Sequence, residues 1–379
     1  MATELLTTPE LARAKETMEE MYVNMGPQHP STHGVLRLML KLDGEVVLEV
    51  VPYIGYLHRC HEKIGENRQY LQIIPYTDRL DYLSSMYNNF SYVLAVEKLT
   101  GLKPPERAEY MRVIIGEMQR IASHLIWMGT FGLDLGNFTI FMYCFREREM
   151  ILDLFEMVSG QRLNYSYFRP GGFYLDFPGS FVADCKAFLH YFKARLPEYD
   201  QLFTDNVITR KRIQGLGRLD APTAIAYGVS GPLLRASGVK WDLRRNDPYS
   251  IYDRFEFDIP VGEAGDVWDR YMVRRREMAE SVRIVEQALD QMPPGEIMAK
   301  VPKTIKPPKG DVYHRVESPR GELGHYVVSD GTDKPYRYKV RSPAYVNLSA
   351  INEMHHHCLV ADIVAILGSI DIVLGEVDR

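Results

Sequence analysis

Two short segments near the N-terminus gather side chains that can move protons. Gly26-Pro-Gln-His-Pro-Ser-Thr-His-Gly34 carries His33, and Asp78-Arg-Leu-Asp-Tyr-Leu-Ser84 carries Tyr82 beside Asp81. Histidine and tyrosine can each hydrogen-bond a carbonyl oxygen and give up a proton to it. With ordinary pKa values of about 6.5 and 10, they can do so repeatedly only if something restores the proton. A carboxylate behind the histidine would fix its tautomer and stabilise its charged form. His33, Tyr82 and Asp134, the last in Gly132-Leu-Asp-Leu-Gly136, could supply such a set. Taken one at a time, each has an ordinary explanation: a loop histidine satisfied by backbone, a half-buried aromatic at a helix start, and a turn former between glycines.

Other patterns lead away from chemistry. Leu57-His-Arg-Cys-His-Glu-Lys63 offers His58, Cys60 and His61 as metal ligands, but the spacing fits no established site and predicts a loop leading into a helix. His355-His-His357 has nothing in the sequence to converge with it and predicts a polar surface turn. The four cysteines, Cys60, Cys144, Cys185 and Cys358, lack Cys-x-x-Cys spacing, which disfavours a zinc ribbon, a redox dithiol or a self-contained iron-sulfur site. They fit free thiols in a reducing compartment. Gly215-Leu-Gly217 lacks the third glycine and preceding strand of a dinucleotide loop, and there is no phosphate loop. A net charge of -5 with scattered arginines gives no basic stripe, so nucleic acid is not an expected partner.

The elements that must position these residues are readable in part. Val35–Leu42 and Glu45–Val51 are apolar, β-branched runs around Asp43-Gly44, a hairpin signature that sets His33 just before the first strand. From Asp81 the apolar period changes to three and four and runs to Gly101. A second helix starts near Pro105, and a third runs from an Asn137 cap to Gly160. Further helices are expected at about 181–203 and 266–292, the latter stopped by Pro293-Pro294. Short strands at 312–316, 324–329 and 336–340 follow a connector rich in proline and lysine. At 379 residues and 46% hydrophobic composition the chain can bury a core without disulfides. No stretch reaches the ~20 apolar residues of a spanning helix, and Met1–Glu20 lacks the pattern of a signal peptide, which reads as a cytoplasmic N-terminus.

The C-terminus, Asp371-Ile-Val-Leu-Gly-Glu-Val-Asp-Arg379, and the two N-terminal segments together resemble a nickel-iron hydrogenase large subunit without its metal ligands. Hydrogenases of that superfamily hold nickel with two Cys-x-x-Cys pairs. The matching positions here read Asp81, Ser84, Val373 and Glu376. From about Tyr22 to Arg379 the text is similar to the D subunit family of proton-pumping NADH-quinone oxidoreductase, respiratory complex I.

The resemblance implies an α+β, hydrogenase-large-subunit-like fold. Its parts would be an N-terminal β region with the site loop at 1–75, a helical bundle at 76–300, and a C-terminal β region at 301–379 whose tail returns to the site. It also implies that His33 and Tyr82 bind a quinone headgroup, that Asp134 pairs with His33, and that Arg59 lies beside an iron-sulfur cluster of a neighbouring subunit. The chain itself would hold no cofactor. It would sit on the cytoplasmic face of a bacterial membrane, held by peripheral-arm and membrane-arm subunits. Phe145-Arg-Glu-Arg-Glu149, Arg235-Ala-Ser-Gly238 and Arg320-Gly-Glu-Leu-Gly324 also read as family text, explained as helix-surface ion pairs, glycine turns and subunit contact.

Departures from the family text are Asn164, where many members have a proton-accepting histidine, a shorter connector after Met292, and Ile372 in place of proline. Asn164 implies a cluster potential nearly independent of pH, as would suit menaquinone. Competing readings are a true hydrogenase, which the four replaced ligands oppose; the equivalent subunit of a ferredoxin-driven quinone reductase; and a non-catalytic scaffold.

Overall fold

A computed structural model describes residues 20–356 and 358–379. The Met1–Glu20 reading and His357 therefore fall almost wholly outside the described residues. The N-terminal sheet is antiparallel in the order β1 (Met21–Met25), β2 (Arg37–Asp43), β3 (Val46–Tyr53). Asp43-Gly44 makes the β2–β3 turn, as the sequence predicts, with Asp43 facing Val46 across it. Alternation along β2 buries Leu38, Leu40 and Leu42.

Short helices α1 (His61–Glu66) and α2 (Tyr70–Thr77) lead into the bundle. Its members are α3 (Ser85–Thr100), α4 (Glu106–Asp134), α5 (Phe138–Ser159) and α6 (Phe181–Tyr199). Short helices α7 to α10 follow (Val207–Ile213, Ala221–Ala226, Pro232–Ala236, Leu243–Asn246), then α11 (Val267–Gln291). Helix α4 is the axle: almost every residue from Ala108 to Gly132 is buried, and α3, α5 and α11 pack around it. A Cβ at Gly132 would lie 2.1 Å from Ile140 Cγ2, so glycine is what lets α5 cross so closely. Asn137 caps α5 by accepting from the Ile140 N–H at 3.2 Å, and Asp266 caps α11 by accepting from the Asp269 N–H at 2.8 Å.

The C-terminal sheet is antiparallel in the order β4 (Gly310–Ser318), β5 (Gly321–Ser329), β6 (Pro335–Arg341), and α3 packs on it. Helices α12 (Pro343–Ser349), α13 (Val360–Ile370) and α14 (Leu374–Asp378) follow, so the region read from sequence as β carries helix as well. The chain is α+β, as expected. Among the described residues no helix is long and apolar enough to cross a membrane.

Two expectations are corrected. His355 is not on a surface turn: it is buried, with Nε2 2.7 Å from Leu48 O and Nδ1 bonded to Asn352 O, pinning the tail to β3. The helix-surface reading fails for Glu147, which is fully buried and bonded inside the core, and Arg235 and Arg320, read only as residues of glycine turns, are fully buried there as well.

Candidate functional site

The site is built where three distant segments meet. Residues 78–84 form the turn between α2 and α3. Asp81 organises it: its Oδ1 accepts from the N–H groups of Leu83 (3.1 Å) and Ser84 (3.3 Å), and its Oδ2 accepts from the Ser84 hydroxyl. Arg320 reaches in from the β4–β5 turn, donating from Nη1 to Asp81 Oδ2 (2.6 Å) and Ser123 Oγ (3.2 Å), and from Nη2 to Asp371 Oδ1 (3.1 Å). Asp371 sits at the C-terminal end of α13 with φ 61°, a left-handed conformation that aspartate tolerates better than most residues.

The C-terminal tail is held by the segment before α1. The N–H groups of Gly55 and Leu57 donate to the Asp378 carboxylate at 2.8 and 2.7 Å, and the Arg59 N–H donates to Arg379 O at 3.1 Å. His58 Nδ1 lies 2.7 Å from Asp378 O. Arg59 Nη2 donates to Arg79 O (2.6 Å) and Gly375 O (3.4 Å), stitching the tail to the 78–84 turn. A Cβ on Gly375 would meet Leu80 O at 2.5 Å, so only glycine permits this approach. The four positions that match hydrogenase ligands thus converge. Their donor chemistry is wrong for nickel: the Val373 side chain offers no donor atom, Ser84 is bonded to Asp81, and Asp81 is bonded to Arg320. Among the described residues no group of three or more His, Cys, Asp or Glu side chains could hold a metal.

The loop 26–34 completes the site. His33 is half-buried with φ 53°, and its Nε2 is enclosed without a hydrogen-bond partner. Burial, followed by the charge of Arg320, lowers its pKa to about 4, so the imidazole is neutral at physiological pH. Tyr82 is 36% exposed at the rim. Burial and then the Asp81 charge raise its phenol, against the opposing pull of Arg320 and Arg59. Arg320 is therefore felt by both. Asp134, at the end of α4, is raised to about 6 by burial, with His29 pulling the other way. Of the 26–34 loop it is His29 that acts on Asp134, and His33 Nε2 has no hydrogen-bond partner, so no bond to Asp134 is made there.

Burial raises Asp371 to about 6 against Arg320 and Arg274. Glu376 is raised to about 8 by burial and by Asp81, with Arg320 opposing. Asn164 has its Oδ1 enclosed without a partner and lines a cleft of about 490 Å³ with Arg79 and Arg169. Sequence reasoning treated Arg320 as a turn residue and passed over Asp371 and Arg274. Their only signal is long-range, since an arginine between strands reveals nothing of the carboxylates it will meet.

An α+β fold with a helical bundle around one long axial helix, whose C-terminal tail meets the 78–84 turn at an arginine–carboxylate cluster, defines a hydrogenase-large-subunit-like protein. The family described as respiratory-chain NADH dehydrogenase, 49 kDa subunit, matches residues 134–309 and 300–379. The D subunit of NADH-quinone oxidoreductase from Dehalococcoides mccartyi is 60% identical over 362 residues, covering 95% of this chain and 99% of that protein. The same-named proteins of Desulforamulus reducens and Geobacillus kaustophilus are 55% and 54% identical, each covering 95% of this chain and 98% of the relative. The chain belongs to this family of 49 kDa, or D, subunits of the respiratory NADH dehydrogenase.

Proposed function

We propose that this chain forms much of the quinone-headgroup site of a proton-translocating NADH-quinone oxidoreductase. The observation that carries the reading is the meeting of the His33 loop, the Tyr82 turn and the C-terminal tail around Arg320. Quinone reduction consumes two electrons and two protons at oxygens on opposite sides of a flat ring. The electrons would come from an iron-sulfur cluster of a neighbouring subunit, as the family resemblance implies.

What the chain supplies is two donors of different kind. His33 is a neutral imidazole with an enclosed, unpartnered nitrogen, and in the tautomer with hydrogen on Nε2 it donates to one carbonyl. Tyr82 is a phenol held protonated at the rim, and it donates to the other. Arg320 is kept charged by Asp371 and Asp81 in spite of burial, and it stabilises negative charge developing on the ring. Asp134, raised to about 6 by burial, supplies a titratable carboxyl behind the loop, the acid expected to partner His33. Arg59 places positive charge toward the neighbouring redox group and favours its reduced form. In the assembled enzyme the chain would sit peripherally on the cytoplasmic face of the cell membrane, held by partner subunits.

Tyr82→Phe tests the reading in membranes carrying the whole complex. Removing a positioned proton donor should lower inhibitor-sensitive quinone reduction about 100-fold, with assembly and NADH-ferricyanide activity unchanged. Unchanged quinone kinetics would overturn the site and leave the chain a scaffold.

A further inference from the structure

Away from the Arg320 cluster, a cleft of about 310 Å³ opens on the free edge of β4, between that strand, the last turn of α3 and the turn after α10. Lys98, Asp247, Pro248, Tyr249, His314 and Arg315 are among its lining residues. Two bonds to outward-facing backbone groups of β4 brace its walls. Lys98 Nζ donates to Tyr313 O at 3.3 Å, and the Glu317 N–H donates to the Tyr249 hydroxyl at 3.2 Å. The charges on the lining are unevenly matched. Arg315 donates from Nε to Asp247 Oδ2 at 3.0 Å and from Nη1 to Glu322 Oε2 at 3.4 Å, so its charge is met by carboxylates. Lys98 has no such partner: its bond to Tyr313 O is the only one its ammonium makes among the described residues. His314 is unsatisfied as well. Neither of its ring nitrogens has a hydrogen-bond partner among the described residues, and Nδ1 is enclosed. Burial and then the Lys98 charge push its pKa down to about 4, so the ring is neutral and has one N–H to donate.

We propose that this cleft binds a small organic oxyanion, its phosphate or carboxylate group held by Lys98 and His314 and its carbon body lying against Pro248 and Tyr249. An ammonium without a counter-ion, beside an imidazole with a free N–H, supplies the charge and the direction that an oxyanion requires. A cation is disfavoured there. Asp247 and His314 are the only carboxylate and imidazole on the lining, too few to hold a metal ion, and Lys98 repels one. The volume lies at the low end of the range for small-molecule sites, about 300–1,000 Å³, which implies a compact ligand. None of the lining residues belongs to the Arg320 cluster, so the oxyanion cleft and the quinone site stand or fall separately.

Equilibrium dialysis of the intact complex against radiolabelled glycerol 3-phosphate and, separately, succinate tests this with wild type, Lys98→Met, Lys98→Arg and His314→Phe. Lys98 is exposed, so its substitutions should leave assembly and quinone reduction unchanged. The expected result is saturable binding of at least one probe in wild type, weakened at least about tenfold by Lys98→Met through loss of a charge-assisted hydrogen bond. Lys98→Arg should restore most of that binding, and His314→Phe should weaken it. Binding of glycerol 3-phosphate alone would make the ligand a phosphomonoester, and binding of succinate alone a carboxylate. No saturable binding of either probe in wild type, or binding in Lys98→Met equal to wild type, overturns the proposal.

Discussion

Around Glu117 and around Arg320 the chain buries the same residue types, arginines against carboxylates, yet the two clusters are finished differently. In the first, Glu117 accepts from Arg120, Arg244, Tyr252 and Ser281, and Asp242 takes both arms of Arg244. Glu277 takes Arg235 and His124, and Glu317 takes Arg235 and the Leu243 N–H. Every oxygen of those carboxylates has a donor. Burial alone would raise Glu117, but Arg120 and Arg244 outweigh it and hold it down to about 2. At Glu317, by contrast, burial wins over Arg235, and the carboxyl is raised although both its oxygens have donors. Around Arg320 the oxygens Asp371 Oδ2 and Glu376 Oε1, with His33 Nε2, are enclosed and unpartnered. Both carboxyls are pushed upward, to about 6 and about 8. Saturated carboxylates fix a core in one arrangement. Unsaturated ones can change protonation, which is what a site of proton-coupled reduction requires.

The largest effect that would sharpen this contrast is Arg244→Met. Leaving Asp242 and Glu117 short of their cation should cost about 3–5 kcal/mol, seen as a lower melting midpoint or loss of assembled complex. Whatever assembles should keep wild-type quinone affinity. A loss of quinone affinity at full stability would erase the distinction between the clusters.

A smaller effect of opposite sign is expected from Glu376→Gln. Its folded-state carboxyl lies at about 8 and the ordinary value is 4.5, so the native state holds a proton that the unfolded chain releases. Stability from this group is complete below pH 4.5 and is lost as pH rises toward 8. The glutamine variant should therefore match wild type in melting midpoint at low pH and exceed it increasingly up to about pH 8. A variant less stable than wild type at pH 8 would mean that Glu376 is ionised and paired.

The bundle was legible because its signals are local. Pro105, the Asn137 cap with Gly160, and Pro293-Pro294 each punctuate a periodic run, and the helices stop and start at them, as the strands do at Asp43-Gly44. Helices α7 to α10 span too few residues for a period to show, and β1 has an exposed face with no alternation to read. The site was legible only by resemblance. His33, Tyr82 and Asp134 have no distinguishing spacing, and Arg320 meets Asp81 across 239 positions. Asn164 shows the same limit: its lost titration is plain from the residue type, but only the fold shows that Ser166 two residues on bonds Asp78, a buried carboxyl raised to about 6 by burial.

The most direct test of the central claim is photoaffinity labelling of the intact complex with an azido-quinone, followed by mapping of the labelled peptides. The expected result is label on 26–34 and 78–84 of this chain, abolished by excess quinone. Competable label confined to other subunits, with none on these segments, would contradict the account.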